Sequence, residues 1–490
     1  MVRASGVCLL VGLAMIAGGA ASADGASLLI RNARLVDATG APPREGVMIL
    51  VRDGWIAAIG DNVAAGDAPL LDAAGATVLP GLMDMHVHFI AAPGGSARGD
   101  TRATRLELNR QHLRAYLACG VTTVLDAGID PLTAREIQLL LARDTPGPRF
   151  LTTGPYVRPV GGYGSEEFGA ESTVAEIEAK LDLIQALGGV GVKLAFEKGW
   201  NPLSSLSGFG PELRQAIIEG AARRKLPLYV HATSAQAQEE ALAWGARGIM
   251  HAVWGGRWLG QVFAPSDLSD AFVARMKASG AYQVSTLSVI DHWPGLFDRD
   301  RLDDALVRRS VPAAELATAR DPAADRLFAV GILGLFVPWL PEWLRPTIGG
   351  YLWTPENLRE GLHYSQRNLL RLWKAGVPIA VGSDAPSPWP FAPYHFHGAA
   401  TLREIELLGN AGIPPMAAII AATRVPAEML GLAAELGTVE VGKRADLVVV
   451  RDDPLRDLRA LGTIRWTIRD GVARTPDEWL GHGATAISRR

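Results

Sequence analysis

Apolar and polar positions follow one rhythm near both ends of the chain and another between them. Near the ends, short apolar runs rich in strand-forming residues are separated by turn signals such as Asp53-Gly54 and Asp470-Gly471. These runs cover residues 27–36, 46–52, 55–59, 446–450 and 463–470. Because chain termini often lie close together in a folded protein, we predict that residues 24–80 and 432–475 form one composite β-sandwich.

Between these ends, strand-like and helix-like segments alternate. The strand-like segments cover 120–126, 149–153, 191–195, 227–231, 248–251, 281–286 and 378–382. Helix-like segments separate them at 132–143, 173–187, 211–224, 235–244 and 358–374. Repeated βα units predict a parallel sheet covered by helices. Together with the strand before residue 86, the count suggests about eight strands, so we predict an α/β fold with a (β/α)8 (TIM) barrel over residues 81–431.

One stretch, at about 288–356, breaks the alternation. A charged, helix-like part covers 298–326, and an apolar run follows at 327–341. This run is too short and too interrupted by proline to predict a membrane span. We predict an insertion between the last two barrel strands. Its use as a lid, as a contact between subunits of a homo-oligomer or as a peripheral membrane contact stays open.

The N-terminus reads as an export signal. Arg3 precedes an apolar run at 7–17, and Ala21-Ser22-Ala23 fits a small-residue cleavage site. We therefore predict a signal peptide over residues 1–23 and an exported protein, periplasmic or secreted. Cleavage leaves Cys119 as the one cysteine, so we expect no intramolecular disulfide and a buried packing role for this thiol.

Composition narrows the function classes. The chain has 490 residues, 48% of them apolar and 20% charged, with a formal net charge of -3. These values fit a globular protein with a sizeable core. The charge is not basic enough for a nucleic-acid surface, so we expect no nucleic-acid partner.

The clearest candidate chemistry is a pair of histidines, His86 and His88, at the end of an apolar run. Side chains at positions i and i+2 of a strand point to the same face. Neutral imidazole is the commonest metal ligand in proteins. One cation can therefore bind both rings.

Further candidate ligands stand at the ends of other predicted strands: Lys193, His231, His251 and Asp384. Barrel active sites are built at the C-terminal ends of the strands. Residues from separate strands can thus converge on one centre. We predict a metal-dependent hydrolase.

With this set in place, the chain resembles the amidohydrolase superfamily, and within it the imidazolonepropionase-like group that includes prolidase and other dipeptidases. The resemblance covers nearly all of the chain after the predicted signal. It rests on Pro80-Gly81-Leu82-Met83-Asp84-Met85-His86-Val87-His88, Gly120-Val121-Thr122-Thr123, Val192-Lys193-Leu194, Val230-His231-Ala232, His251, Gly382-Ser383-Asp384 and the glycine-containing stretch at 437–448.

The resemblance implies a site for two divalent metal ions, usually Zn²⁺. His86, His88 and Asp384 would hold one ion, and His231 and His251 the other. Lys193 would be carbamylated by carbon dioxide and bridge the two, because an ammonium group cannot bind metal. A partly buried lysine has a lowered pKa, which makes the neutral amine available for this reaction.

The implied activity is hydrolysis of an amide or peptide bond by a metal-activated hydroxide, with Asp384 as general base and then general acid. A small hydrophobic dipeptide or N-acyl amino acid is the expected substrate. Hydrolysis of a lactone, a cyclic amide or a xenobiotic ester is the alternative on the same site. A membrane-surface or binding protein that uses the apolar segment 327–340 is the alternative of another class.

The sequence gives fewer indications of which residues contact the substrate. The family often has Gly-Gly-His-Gly after the third strand, whereas this chain has Gly161-Gly162-Tyr163-Gly164. Tyr163 and Arg158 are candidates for the substrate carbonyl or carboxylate, with structural packing as the alternative. Trp254 is a candidate for an apolar pocket. His395 and His397 resemble a second HxH pair, for which we predict substrate or supporting contacts rather than a third metal.

Overall fold

The computed structural model describes residues 26–89, 102–143, 145–164, 169–195, 197, 206–255, 267–293, 295–323, 330–331, 333–334, 337, 339–386 and 394–482. The predicted signal peptide, residues 1–23, lies outside the described residues. So do seven of the fifteen residues of the apolar run 327–341.

Sixteen strands are formed by the described residues. In chain order they are β1 (Leu28–Leu35), β2 (Arg44–Arg52), β3 (Trp55–Gly60), β4 (Leu70–Asp72), β5 (Thr77–Pro80), β6 (Leu82–Val87), β7 (Val121–Asp126), β8 (Arg149–Thr152), β9 (Val192–Ala195), β10 (Leu228–His231), β11 (Gly248–Ile249), β12 (Tyr282–Val284), β13 (Ile379–Ala380), β14 (Leu447–Val450), β15 (Ile464–Arg469) and β16 (Val472–Arg474).

The α-helices of the described residues complete the alternation. They are α1 (Arg102–Ala118), α2 (Pro131–Arg143), α3 (Val174–Ala186), α4 (Pro211–Arg223), α5 (Ala235–Ala243), α6 (Asp270–Ser279), α7 (Ser288–Asp291), α8 (Ala305–Ser310), α9 (Ala313–Arg320), α10 (Arg345–Leu352), α11 (Pro355–Lys374), α12 (Ala399–Asn410), α13 (Pro415–Ala421), α14 (Arg424–Met429) and α15 (Pro476–Leu480). Short 3-10 helices lie at Arg299–Asp303, Glu342–Leu344 and Leu458–Gly462.

Strands from both ends of the chain share one sheet, in the order β16-β15-β14-β5-β1-β2-β3, with β4 paired to β1. In β2, the side chains of Val47, Ile49 and Val51 are buried and alternate with less buried ones. This period of two is typical of a sheet that packs on one face. The predicted union of the two chain ends is thus observed as a shared sheet. The sandwich form and the domain boundaries stay predictions.

The central strands are parallel and form two sheets, β6-β7-β8 and β13-β12-β11-β10-β9. Isolated parallel bridges join Val157 to Leu194 and Val87 to Ala385, one at each junction between the two sheets. Strands β6 and β7 are buried along their whole length, as expected for strands covered on both faces. Eight parallel strands with intervening helices fit a TIM-barrel-type fold.

The 288–356 region does interrupt the βα alternation, between β12 and β13. Its charged part is divided into a 3-10 helix and the short helices α8 and α9, because Asp304 caps one helix and Pro312 precedes the next. Leu333, Leu340 and Trp353 pack into the main hydrophobic core, which anchors the insertion to the rest of the fold. Within the described residues, no helix combines the length and the apolar content that crossing a bilayer requires.

Candidate metal centre

The two histidines of the first parallel strand project together, as the i, i+2 spacing predicts. His86 lies within β6 and His88 directly follows it. Their Nε2 atoms lie 3.1 and 3.0 Å from the same oxygen, Oδ1 of Asp384. One ligand atom from each of these three residues falls within 4.8 Å of the others, so this group could bind a metal ion.

Backbone carbonyls fix the proton positions on both rings. His86 Nδ1 lies 2.8 Å from the carbonyl oxygen of Met250, and His88 Nδ1 lies 3.1 Å from that of Gly128. A carbonyl only accepts, so each Nδ1 must donate, and a neutral ring then keeps a lone pair on Nε2. Such a carbonyl partner is typical of metal-binding histidines.

A tight turn presents Asp384 to these rings. The residue adopts φ +64°, in the left-handed region, and its N–H donates to the carbonyl oxygen of His86 at 2.6 Å. Asparagine and aspartate tolerate this conformation better than most residues. The turn therefore holds the Asp384 carboxylate beside the end of β6.

Lys193 enters the same group from β9. Its Nζ lies 3.0 Å from Nε2 of His86, and the side chain is 3% exposed. Burial lowers the pKa of Lys193 to about 8. A substantial fraction of the amine is therefore neutral near pH 8, which is the form that reacts with carbon dioxide.

His231 and His251 complete the group from β10 and from the end of β11. The ring of His251 lies 4.8 Å from that of His86 and 4.3 Å from that of His231, measured between centroids. Burial holds the pKa of each well below its usual range, so both rings are neutral. Nε2 of His231 is buried and has no hydrogen-bond partner.

The donor set fits a metal. Burial, with the charge of Lys193, holds the pKa of His86 far below its usual range. Its Nε2 lone pair can accept from Lys193 Nζ at 3.0 Å, but the same atom lies 3.1 Å from a carboxylate oxygen, acceptor against acceptor. Burial lowers the pKa of His88, but the hydrogen bond and charge of Asp384 outweigh it and raise the pKa. A proton on His88 would satisfy the contact between His88 and Asp384 but not the one between His86 and Asp384. A cation bound by His86, His88 and Asp384 together would satisfy both contacts.

Three buried carboxylates that the sequence reasoning missed support the centre. Asp126, at the end of β7, accepts from the N–H groups of Phe89 and Gly128 at 2.8 and 2.9 Å. Glu197 accepts from Thr233, two residues after His231. Asp84 binds the turn before Asp384. The sequence did contain a signal for two of these residues. Asp126 ends a predicted strand, and Asp84 lies in the strand-like segment that leads to His86 and His88.

Aromatic side chains border the histidines. The ring of Tyr163 stacks on that of His231, with centroids 4.3 Å apart and 24° between the planes. The ring of Trp254 lies 5.6 Å from that of His251. Both residues are therefore close enough to contribute to a pocket beside the group, although their contact with substrate stays a prediction.

Arg158 has a different use in the structure. Its Nε donates to the carbonyl oxygen of Gly169 at 2.8 Å, and Nη1 lies 3.3 Å from the carbonyls of Gly162 and Gly164. These bonds hold the loop that carries Tyr163. They favour the packing role that the sequence left open.

His395 and His397 contact different neighbours. His395 Nε2 lies 3.3 Å from the hydroxyl of Ser288, whereas His397 Nδ1 lies 2.9 Å from that of Tyr116 and its ring stacks on Phe89. The two residues lie outside any described strand, so the i, i+2 rule does not bring their rings together. Both are buried.

Comparison with known proteins places this geometry in context. Two models, each described as Amidohydrolase family, match residues 77–255 and 298–472. Among curated relatives, a dihydroorotase of Streptococcus thermophilus (strain CNRZ 1066) is 38% identical over 102 residues, 20% of this chain and 21% of the relative. An enamidase of Eubacterium barkeri is 41% identical over 90 residues, 18% of this chain and 21% of that protein. The matches thus span about a fifth of the relatives' length.

Solved structures match over nearly the whole chain. A Xaa-Pro dipeptidase with bound methionine in its active site has a TM-score of 0.67 at 22% identity, over 92% of this chain and 100% of its own. Molinate hydrolase has a TM-score of 0.66 at 17% identity, over 95% and 99%. At such identities the likeness shows a common fold. With both family matches, it confirms the predicted membership: the chain belongs to the amidohydrolase superfamily of metal-dependent hydrolases.

Proposed function

We propose that this protein hydrolyses the amide or peptide bond of a small hydrophobic molecule in a metal-dependent reaction. One observation carries the proposal. Six side chains from five strand ends meet at one centre, where the lone pair of the neutral His86 ring faces the Asp384 carboxylate beside a lysine with a lowered pKa.

His86, His88 and Asp384 would hold one divalent ion, and His231 and His251 a second, with a carbamate on Lys193 between them. Bound zinc ions would supply a water of lowered pKa and polarise the scissile carbonyl. Asp384 would accept the proton of the attacking water and return it to the leaving nitrogen. The turn at Asp384 holds its carboxylate beside His86 and His88.

The aromatic border favours an apolar substrate. Tyr163 and Trp254 lie against His231 and His251, and aromatic side chains commonly line small-molecule sites. The similar proteins include a Xaa-Pro dipeptidase, an ochratoxinase and an N-acyl-D-aspartate deacylase. We therefore propose a dipeptide or an N-acyl amino acid, with a lactone, cyclic amide or xenobiotic ester as the alternative.

The test is a substrate panel of dipeptides, N-acyl amino acids, lactones and aryl esters. It is run on zinc-loaded protein, on chelator-treated protein whose metal content has been measured, and after re-addition of zinc or cobalt. We expect turnover of an amide, its loss on chelation and its return with metal. Full turnover in protein shown to lack metal would overturn the proposal.

The insertion supports a second role, peripheral contact with a membrane. Trp339, Trp343 and Tyr351 are 64%, 78% and 81% exposed, and Trp and Tyr are the side chains that favour the membrane interface. We propose that an exported enzyme uses this surface to rest on a bilayer, with self-association into a homo-oligomer as the alternative. We also infer that the bridges at Val87 and Val157 close the two parallel sheets into one (β/α)8 barrel.

A further inference from the structure

A surface cavity of about 390 Å³ lies away from the metal centre. Arg149 and Phe150 begin β8, and Leu117 lies at the end of α1, just before β7. The cavity is thus at the N-terminal ends of the parallel strands, whereas the candidate ligands lie at the C-terminal ends. Arg469 of β15 and Trp479 of the following helix, α15, line its other side.

The lining combines apolar and charged side chains. Six of its residues are apolar: Leu117, Leu141, Pro146, Pro148, Phe150 and Trp479. Arg149 and Arg469 supply positive charge, and Asp470, which contacts both, supplies one negative charge. The volume falls within the range of small-molecule sites, about 300–1,000 Å³.

The two guanidinium groups have unused donors. Nη2 of Arg149 lies 3.4 Å from Asp446 and 3.3 Å from Asp470, at the long end of hydrogen bonding. Nη1 of Arg469 contacts the same two carboxylates. The Nε atoms of both arginines are buried and have no hydrogen-bond partner. Because these Nε atoms have almost no contact with solvent, a ligand in the cavity would contact the Nη atoms of the two arginines instead.

Electrostatics identify Arg149 as the less compensated of the pair. Burial lowers the pKa of Arg149, and the neighbouring charge of Arg469 lowers it further. Burial also opposes the charge of Arg469, but Asp446 and Asp470 outweigh it and raise its pKa. Asp470 has a side chain that is 48% exposed, so another carboxylate can replace it beside Arg149.

We propose that this cavity binds a small organic carboxylate, with its apolar body against Phe150 and Trp479 and its carboxylate on Arg149 and Arg469. A guanidinium donates two parallel hydrogen bonds to the two oxygens of a carboxylate. A neutral amide ligand offers only one acceptor oxygen and no negative charge. The ligand would bridge the parallel strands and the composite sheet at a site separate from the hydrolytic centre.

The test is calorimetric titration of the full chain with benzoate, its neutral counterpart benzamide, and inorganic sulfate. We expect benzoate to bind at least tenfold more tightly than either. Arg149→Met should weaken benzoate binding at least tenfold, while Arg143→Met, which removes an exposed arginine outside the cavity, should leave it unchanged.

Leu141→Trp gives an independent variant, because it fills the cavity and keeps both arginines. It should also abolish benzoate binding, and circular dichroism checks the fold of each variant. Equal affinity for benzoate and benzamide, equal affinity for sulfate, or wild-type benzoate binding in both Arg149→Met and Leu141→Trp would overturn the proposal. The last result would assign benzoate to another site, including the metal centre.

Discussion

The carboxylate of Asp84 holds Ser383 through two hydrogen bonds, at 2.9 Å from the backbone N–H and at 2.7 Å from the hydroxyl. It also accepts from Thr401 at 2.6 Å and from the N–H of His86 at 3.1 Å. One buried carboxylate thus joins the strand of the paired histidines to the turn of Asp384. The position of the candidate ligands depends on this junction.

Replacing Asp84 with alanine should destabilise the protein. The change leaves two donors of Ser383 and the hydroxyl of Thr401 unpaired inside the core, and each buried unpaired group costs about 1–3 kcal/mol. We expect the free energy of unfolding to fall by about 3 kcal/mol or more, measured by urea denaturation. Asp84→Asn, which keeps one acceptor oxygen, should lose less. Equal stability of the alanine variant and the wild type would contradict the proposed junction.

Asp384→Asn should reduce catalysis. The amide keeps the shape of the side chain but cannot take a proton from water, and general acid–base groups contribute about 10²- to 10⁴-fold. We expect kcat to fall by a factor in this range, measured with the amide substrate identified by the panel. Metal content is measured in parallel, since loss of the ion is a separate effect. An unchanged kcat would remove Asp384 from the proposed role.

Lys193→Ala should remove the anionic bridge. We expect turnover to fall about 100-fold or more, and added acetate, a small carboxylate, to restore part of it. Lys277→Ala, which changes an exposed lysine on α6, is the matched control. Mass spectrometry of the native wild type should detect an added carbon dioxide that the Lys193 variant lacks. Wild-type turnover in the variant would exclude the bridge.

Glu404 should make stability depend on pH. Burial raises its pKa to about 7, although the N–H groups of Leu287 and Ser288 donate to its carboxylate. Between the unfolded pKa, 4.5, and about 7, the unfolded chain ionises while the folded one stays protonated. The free energy of unfolding should therefore fall across this interval, by about 3 kcal/mol in total.

Urea denaturation between pH 4 and 8 measures this effect. Glu404→Gln should flatten the decline, because the amide does not titrate in this range. Glu406→Gln, on the same helix but partly exposed, should retain the decline of the wild type. Parallel profiles for Glu404→Gln and wild type would show that Glu404 does not titrate as stated.

The exposed aromatics of the insertion should govern vesicle binding. We expect the wild type to sediment with phosphatidylcholine vesicles and Trp339→Ser/Trp343→Ser to bind at least tenfold less. Leu132→Ser/Leu139→Ser removes exposed apolar side chains from α2 and should bind like the wild type. If the double tryptophan variant still binds vesicles, the insertion is not the contact surface.

Much of the fold follows from local pattern. Short apolar runs with turn signals at the chain ends and alternating βα segments predict most of the strands that the structure contains, although β4 and β16 lie outside the predicted runs. His86 and His88 meet because both obey strand geometry. The junction at Asp84 was not predictable, because its partners Ser383 and Thr401 are distant in sequence and nothing local marks their approach. His395 and His397 show the opposite case. Their spacing suggests two rings on one face, but the residues lie outside any described strand and their rings contact different neighbours.

The shared sheet has a consequence for synthesis. Strand β5 pairs on one side with β1, which leaves the ribosome early, and on the other with β14, which leaves it near the end. A chain truncated within the central region lacks β14, so one edge of β5 has no partner strand. Unpaired strand edges promote aggregation. In the nascent chain, the β14 side of β5 therefore stays unpaired until residues 447–450 have been made.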